Sequence, residues 1–365
     1  MREREDTTRD PRRAGTLRTV RTALLSWYDR DARDLPWRRG AAARLPYRVL
    51  VAEVLLQQTQ ASRAAEAYRR FVTRFPDPRR LASADEAAVL EAWQGLGYYQ
   101  RALRLQACAR ALLERHAGVV PHDVAALEAL PGIGRYSARA IAARAFGAPL
   151  IAVDANVRRV GARVLDLATP SDVELEDGLA DLLLTDDDPG GRHGDVSEAL
   201  IELGATVCGP RSPACARCPL RQACRAHAAG RATTVPAPRV RRPRRSEELT
   251  LLVALRGTEV ALTRRPGRGR WAGLWGFPSG DVTGAALPGF EHHLTHRRLE
   301  VAPRLVRVEA LAGALTWMAL ERVAAGGDRH PVAAVDQRLA RLLVAPAGRE
   351  ALRAAAALAA ERRTA

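Results

Sequence analysis

The chain has 365 residues, 47% of them hydrophobic and 27% charged, with five cysteines and a formal net charge of +16. That length supports two domains with separate cores, and the apolar content excludes wholesale disorder. No apolar run approaches the length needed to cross a bilayer, which argues against a membrane protein.

The charge predicts attraction to a polyanion, and nucleic acid is the partner it favours. All 57 basic residues are arginine, whose rigid fork suits phosphate oxygens. A GC-rich genome explains arginine in place of lysine, but not the excess charge. Without lysine, no side chain can form a Schiff base. Residues 1–20 are charged and lack the apolar core of a signal peptide, so a cytoplasmic protein is expected.

Taken in chain order, residues 1–16 read as a charged tail. From Leu17, apolar residues recur at helical spacing and helical patterns alternate with turns to about Ala229, predicting an all-α domain over 17–232. Glu53 lies in one such pattern with Val49, Val54 and Leu56 around it, surroundings that raise a carboxyl pKa. Residues 130–136, Leu-Pro-Gly-Ile-Gly-Arg-Tyr, form a turn between two helical patterns. Gly132 and Gly134 can bring backbone N–H groups to a phosphate there, ahead of a helix's positive end. Asp154 follows an apolar run and precedes another helix, so a plain N-cap is its competing reading. Residues 171–188 hold eight acidic residues and no basic one, predicting a solvated helix followed by a surface loop.

Four cysteines follow at Cys208-x6-Cys215-x2-Cys218-x5-Cys224. A four-iron four-sulfur cluster suits this spacing best, zinc with four thiolates is the second choice, and a disulfide fits an unsecreted chain poorly. Cys108, on a helical pattern beside Leu105 and Leu112, reads as core. Residues 233–248 are rich in proline and arginine and read as a linker. Short strand-like runs at 249–255, 260–263, 299–306 and 315–320 then predict a smaller α+β domain over 249–345, before an Ala-rich helical tail at 346–365.

With these motifs in place the chain resembles the helix-hairpin-helix glycosylases of the endonuclease III superfamily, and within them the adenine DNA glycosylase (MutY) family. The segments that carry the resemblance are Leu-Pro-Trp-Arg at 35–38, Pro-Tyr-Arg-Val at 46–49 and Glu-Val-Leu-Leu-Gln-Gln-Thr-Gln at 53–60. They continue with Gly-Leu-Gly-Tyr-Tyr at 95–99, the turn at 130–136, Val-Asp-Ala-Asn-Val at 153–157 and the cysteine loop 208–224. Trp-Ala-Gly-Leu-Trp-Gly-Phe-Pro at 271–278 extends it less tightly.

The resemblance implies a two-lobed all-α helix-hairpin-helix fold with an iron–sulfur loop, followed by a smaller α+β Nudix-like domain. It implies a 4Fe-4S cluster held by Cys208, Cys215, Cys218 and Cys224, and a partner of double-stranded DNA containing a mispaired or oxidised base. Glu53 would protonate adenine N7 and later handle the water, Asp154 would stabilise the sugar cation, and Tyr136 and Asn156 would hold that aspartate and the sugar. Lyase-active relatives carry lysine where Tyr136 stands, so base removal without strand cleavage is expected. Gln58, Leu96 and Tyr98 would fill the stack beside the extruded base, and Gly132 and Gly134 would grip the backbone.

The second domain departs from the family. Leu294-Thr295-His296 stands where Phe-Ser-His is common, so Thr295 and His296 would contact 8-oxoguanine with a hydroxyl retained and a ring lost. The short spacing after Pro278 leaves no room for a full helix. Adenine excision opposite 8-oxoguanine or guanine by a monomer associated with the bacterial nucleoid is the leading expectation. A glycosylase for thymine or uracil opposite guanine, and a non-catalytic DNA-binding module, are the alternatives.

Overall fold

The computed structural model describes residues 11–361 except 39, 185–191, 239–244, 268, 295–296 and 328–329. Contacts divide the chain into two units, residues 1–83 with 104–240 and residues 84–103 with 241–365.

The first unit is helical. Its helices in chain order are α1 (Pro11–Asp31), α2 (Pro46–Leu56), α3 (Ala61–Arg74) and α4 (Pro78–Ala82). After α5 (Glu86–Ala92), which belongs to the second unit, come α6 (Gln100–His116), α7 (Val124–Glu128), α8 (Arg135–Phe146), α9 (Ala155–Leu165), α10 (Asp172–Leu183), α11 (His193–Thr206) and α12 (Arg225–Ala228). Proline stands at the first position of α1, α2 and α4, where its missing N–H leaves no intrahelical bond unmade. Residues 172–183 of the acidic segment form α10, started by a capping box in which Ser171 and Glu174 bond reciprocally, and the surface loop expected at 185–188 lies outside the described residues.

One core gathers Leu24 and Trp27 of α1 with Val157 and Val160 of α9, Leu179 of α10, and Leu200 and Leu203 of α11. Gly161 lets α9 and α10 approach closely, because a Cβ there would meet Leu175 and Leu179 at 2.9 Å. These helices fix the spot where α9 begins, and therefore where Asp154 sits.

The second unit adds eight strands among the described residues: β1 (Arg245–Val253), β2 (Leu255–Arg256), β3 (Glu259–Arg264), β4 (Trp275–Gly276), β5 (Ala285–Ala286), β6 (Phe290–His293), β7 (Arg297–Leu305) and β8 (Thr316–Ala319). Helices α13 (Leu320–Ala325), α14 (Ala334–Val344) and α15 (Pro346–Glu361) complete it. β1 runs parallel to β7, with Leu249 opposite Val301, while β2, β4 and β8 pair antiparallel with β3. The apolar run expected as one strand over 249–255 is thus shared between two sheets, parting at Ala254, whose carbonyl accepts from Ala261 N–H at 3.1 Å. Between Phe277 and His293 the chain makes two short strands and no helix.

Residues 84–103 pack in this unit through polar clamps. The Gln94 amide donates to Gly327 O at 2.8 Å and the Gln100 amide to Ala272 O at 3.3 Å. Both bonds end on backbone carbonyls, so they fix the position of the segment without depending on side chains opposite.

Candidate active site

A cleft of about 2070 Å³ opens in the helical unit, and Glu53, Tyr136, Asp154 and Asn156 all line it. It exceeds the 300–1,000 Å³ typical of small-ligand pockets. Glu53 stands on α2 among Val49, Leu50 and Val54 and is 3% exposed. Burial raises its pKa; the Arg144 guanidinium opposes that rise, and the negative charges of Glu198 and Asp154 add to it.

Asp154 is the N-cap of α9. Its Oδ1 accepts from the backbone N–H of Asn156 at 2.8 Å and of Val157 at 2.7 Å, and its Oδ2 from Asn156 Nδ2 at 2.9 Å. Capping and a place in the cleft are therefore compatible: both backbone bonds fall on one oxygen. Asn156 is itself held, since its Oδ1 accepts from Arg159 at 2.9 Å, and Arg159 also donates to Gly204 O at 2.7 Å. Gly204 makes this approach possible, because a Cβ there would lie 2.5 Å from Asn156 Cβ. Tyr136, in the first turn of α8, interacts electrostatically with both Glu53 and Asp154; burial first, and then those carboxylates, push its phenol well above the ordinary value.

The sequence leaves Glu53 open as a buried ion-pair partner, and a chain of ion pairs does run behind it, through residues that the sequence does not single out. Arg144 donates from Nη1 to Glu53 Oε1 at 2.7 Å and pairs through Nε with Glu198 Oε1 at 2.6 Å. Glu198 also accepts from the Tyr28 hydroxyl at 2.5 Å and pairs with Arg38 at 3.3 Å. Arg38 reaches Glu202 at 3.1 Å, and Glu202 is gripped by two nitrogens of Arg33 at 2.7 and 2.9 Å. Carboxylates and guanidiniums alternate along the chain, which is how buried charge is tolerated.

The hairpin at 130–136 joins α7 to α8. Gly132 holds φ +82°, and a Cβ there would meet Arg104 Cβ at 2.9 Å, so the turn requires glycine twice over. Gly134 caps α8, and a Cβ there would face open space. Gln57 donates to Ser137 Oγ at 3.2 Å, linking the end of α2 to the start of α8.

Gln58 lines the cleft and is exposed. It holds φ 54°, and Tyr98, 52% exposed, holds φ 47°, a region uncommon for non-glycine residues. Leu96 is buried at 5% exposure. Leu96 and Tyr98 belong to the unit built on 84–103 and 241–365, in a loop closed by Arg101, which donates to Leu96 O and Gly97 O at 3.3 Å. Thr295 and His296 lie outside the described residues.

The cysteine loop corrects the expected iron–sulfur site. Among the described residues, no group of three or more His, Cys, Asp or Glu side chains is placed to hold a metal ion. Cys208, Cys215, Cys218 and Cys224 border one small cavity. Two of the thiols are turned to protein partners: Arg163 Nη1 lies 3.1 Å from Cys208 Sγ, and Cys224 Sγ donates to Arg163 O at 3.4 Å. Burial pushes the Cys218 thiol up to about 12 and raises Cys224. All five cysteines are free. The fold is therefore a mostly helical unit followed by a β-containing one, and among the described residues the expected iron–sulfur site is not formed. Cys108 is fully buried, as a core residue.

Residues 51–183 match the family described as HhH-GPD superfamily base excision DNA repair protein. Over 245 residues the chain is 42% identical to the adenine DNA glycosylase of Mycolicibacterium smegmatis, covering 66% of this chain and 82% of that protein. Over 309 residues it is 39% identical to the adenine DNA glycosylase of Rattus norvegicus, covering 71% of this chain but 60% of the relative. The chain thus spans about 60% of the length of the mammalian relatives it matches. Among solved structures, a thermostable thymine-DNA glycosylase superposes with a TM-score of 0.53 at 28% identity, over 59% of this chain and 98% of that one. Among the described residues no helix is long and apolar enough to cross a membrane. The aligned length and identity show that the chain belongs to the adenine DNA glycosylase family of the HhH-GPD superfamily.

Proposed function

We propose that this chain is a monofunctional DNA glycosylase that hydrolyses the N-glycosidic bond of adenine mispaired with 8-oxoguanine or guanine in duplex DNA, leaving an abasic site. The observation that carries the reading is the opening of Glu53, Asp154 and Tyr136 onto one cleft. Adenine is a poor leaving anion, and the sugar left behind becomes cationic. One protonated and one ionised carboxyl answer these two demands. Glu53 gives its proton to adenine N7, the C–N bond breaks with its electron pair going to the base, and the Asp154 carboxylate faces the cationic sugar. Water then adds to the sugar carbon, returning a proton to Glu53. Tyr136 and Asn156 hold Asp154 and the sugar in register.

In the same reading, backbone N–H groups at Gly132 and Gly134 grip the phosphates. Gln58, Leu96 and Tyr98 occupy the stack, and Thr295 and His296 read the opposite base. Residues 17–232 form the glycosylase domain, 233–248 the linker and 249–345 a Nudix-like domain, flanked by the tails 1–16 and 346–365. The protein acts as a monomer in the cytoplasm, on nucleoid DNA. The likeness to a thymine-DNA glycosylase structure supports a second reading, removal of thymine or uracil opposite guanine.

A base-release panel on defined duplexes separates the two readings. Adenine should leave from its pairs with 8-oxoguanine and guanine, faster from the former, while thymine and uracil opposite guanine stay intact. Release of thymine or uracil without adenine would overturn the lead reading.

Strand cleavage is a separate test. With no lysine in the chain and tyrosine at 136, borohydride should trap little covalent complex, and nicks should appear only after alkali. Trapping as efficient as that of a lysine-bearing lyase would refute the monofunctional assignment.

A further inference from the structure

We propose that Arg144 is a positioning residue for Glu53, which fixes the carboxyl oxygen that carries the transferable proton and sets the pH range over which that proton is held. The inference rests on the reading of Glu53 as the general acid and adds a second residue to that role.

Arg144 lies in the last turn of α8 and is 8% exposed. Three contacts fix its guanidinium plane: Nη1 to Glu53 Oε1 at 2.7 Å, Nε to Glu198 Oε1 at 2.6 Å, and Nη2 to Trp37 O at 3.4 Å. Glu198 cannot release it easily, because the Tyr28 hydroxyl and Arg38 hold its other oxygen. A carboxyl oxygen that accepts a charge-assisted bond from a guanidinium is the poorer place for a proton. Glu53 Oε1 is therefore the anchored oxygen, and Oε2 is the one that carries the proton toward the base.

The same contact sets acidity. Burial favours the neutral acid, whereas a fixed positive charge favours the carboxylate. Glu198, on the far side of the guanidinium, draws part of that charge away from Glu53. The groups facing Glu53 are Arg144 and Tyr136 from α8, Glu198 from α11 and Asp154 from the start of α9. From the other elements packed on α2, α3 brings the Tyr68 phenol near Arg144, Arg38 reaches Glu198, and Arg44 is taken by Asp195. Arg144 is the cation bonded to Glu53, so removing it should act in one direction. A buried ion pair is no better for stability than well-packed apolar residues of similar volume, so packing alone does not call for arginine here.

The test is the pH dependence of single-turnover adenine release, with a readout independent of catalysis beside it: carbon-13 NMR titration of the Glu53 carboxyl, assigned by its loss in Glu53→Gln. Arg144→Met should move the basic midpoint up by about one to two pH units. Arg144→Lys, which keeps the charge, should restore most of the native midpoint. Glu198→Gln should move it down, because a competing carboxylate is gone. Opposite shifts in these variants cannot come from a general loosening of the fold. If Arg144→Met does not fold, Arg144→Lys and Glu198→Gln decide, and a native midpoint in Glu198→Gln overturns the proposal. A native midpoint in a folded Arg144→Met overturns it equally. Should the native protein release no adenine, the functional reading fails while the NMR titration still tests Arg144.

Discussion

Glu53→Gln and Asp154→Asn are each expected to slow single-turnover adenine release by roughly 10²–10⁴-fold while duplex binding persists. Glutamine keeps an oxygen for Arg144, and Arg144 retains Glu198, so the buried network stays paired when the acid is removed. Asparagine keeps an oxygen for the backbone N–H groups of Asn156 and Val157, and the two residues are equivalent as N-caps. What Asp154→Asn loses structurally is the contact between Oδ2 and Asn156 Nδ2. One such bond contributes about 0.5–1.5 kcal/mol to stability, whereas a hundredfold rate loss corresponds to about 2.7 kcal/mol. A drop of that size in a folded, DNA-binding variant therefore reports lost chemistry. Near-native excision by either variant would remove that residue from the mechanism.

Glu53 and Asp154 stand out in the sequence through the motifs Glu-Val-Leu-Leu-Gln-Gln-Thr-Gln and Val-Asp-Ala-Asn-Val that carry the family resemblance, whereas local pattern alone leaves Asp154 equally readable as a plain N-cap; the structure brings both to one cleft. Arg144 is not legible. It sits in Ala-Ala-Arg-Ala-Phe among 57 arginines, and only the tertiary approach of α2, α8 and α11 shows that it points inward. Glu198 and Glu202 do leave a signal that the sequence reading missed: two acids one turn apart between Val196, Ala199, Leu200 and Leu203, a face that is otherwise core. The cysteine loop shows the converse error. Spacing along the chain counts sulfurs but says nothing of the direction of each thiol, and Arg163 engages Cys208 and Cys224 here. Strand boundaries fail in a similar way at Ala254, since hydrophobic pattern marks burial and does not say which neighbour will take the hydrogen bonds.

Asp336→Ala is expected to give the largest loss of stability in the second unit. Asp336 stands in the first turn of α14 and is fully buried. Its Oδ1 accepts from Phe277 N at 2.9 Å, and Arg265 Nη2 lies 3.0 and 2.8 Å from its two oxygens. Packing there is close: a Cβ on Gly276 would meet Asp336 Oδ2 at 2.5 Å and Arg265 Nη2 at 2.6 Å. Removing the carboxylate leaves an arginine only 12% exposed without its counter-ion and one buried N–H without its acceptor. Breaking a buried pair in this way costs about 3–5 kcal/mol, enough to lower the melting transition by roughly 10 °C or more. Burial pushes Asp336 up to about 6, with Arg265 and the Phe277 N–H opposing the rise. The folded state therefore holds this proton more tightly than the unfolded one, whose carboxyl titrates near 3.9. The resulting contribution to stability is complete below that value and is lost as pH rises through about 6. In Asp336→Asn that part of the pH slope should vanish. Gln94 ties the loop of Leu96 and Tyr98 to Gly327, shortly before α14, so Asp336→Ala should also weaken the hold on that loop. Calorimetry of the native and variant proteins between pH 4 and pH 7 reads the stability effects directly. A variant transition within about 2 °C of native at neutral pH, or an unchanged slope in Asp336→Asn, would show that Arg265 and Asp336 do not hold this unit together.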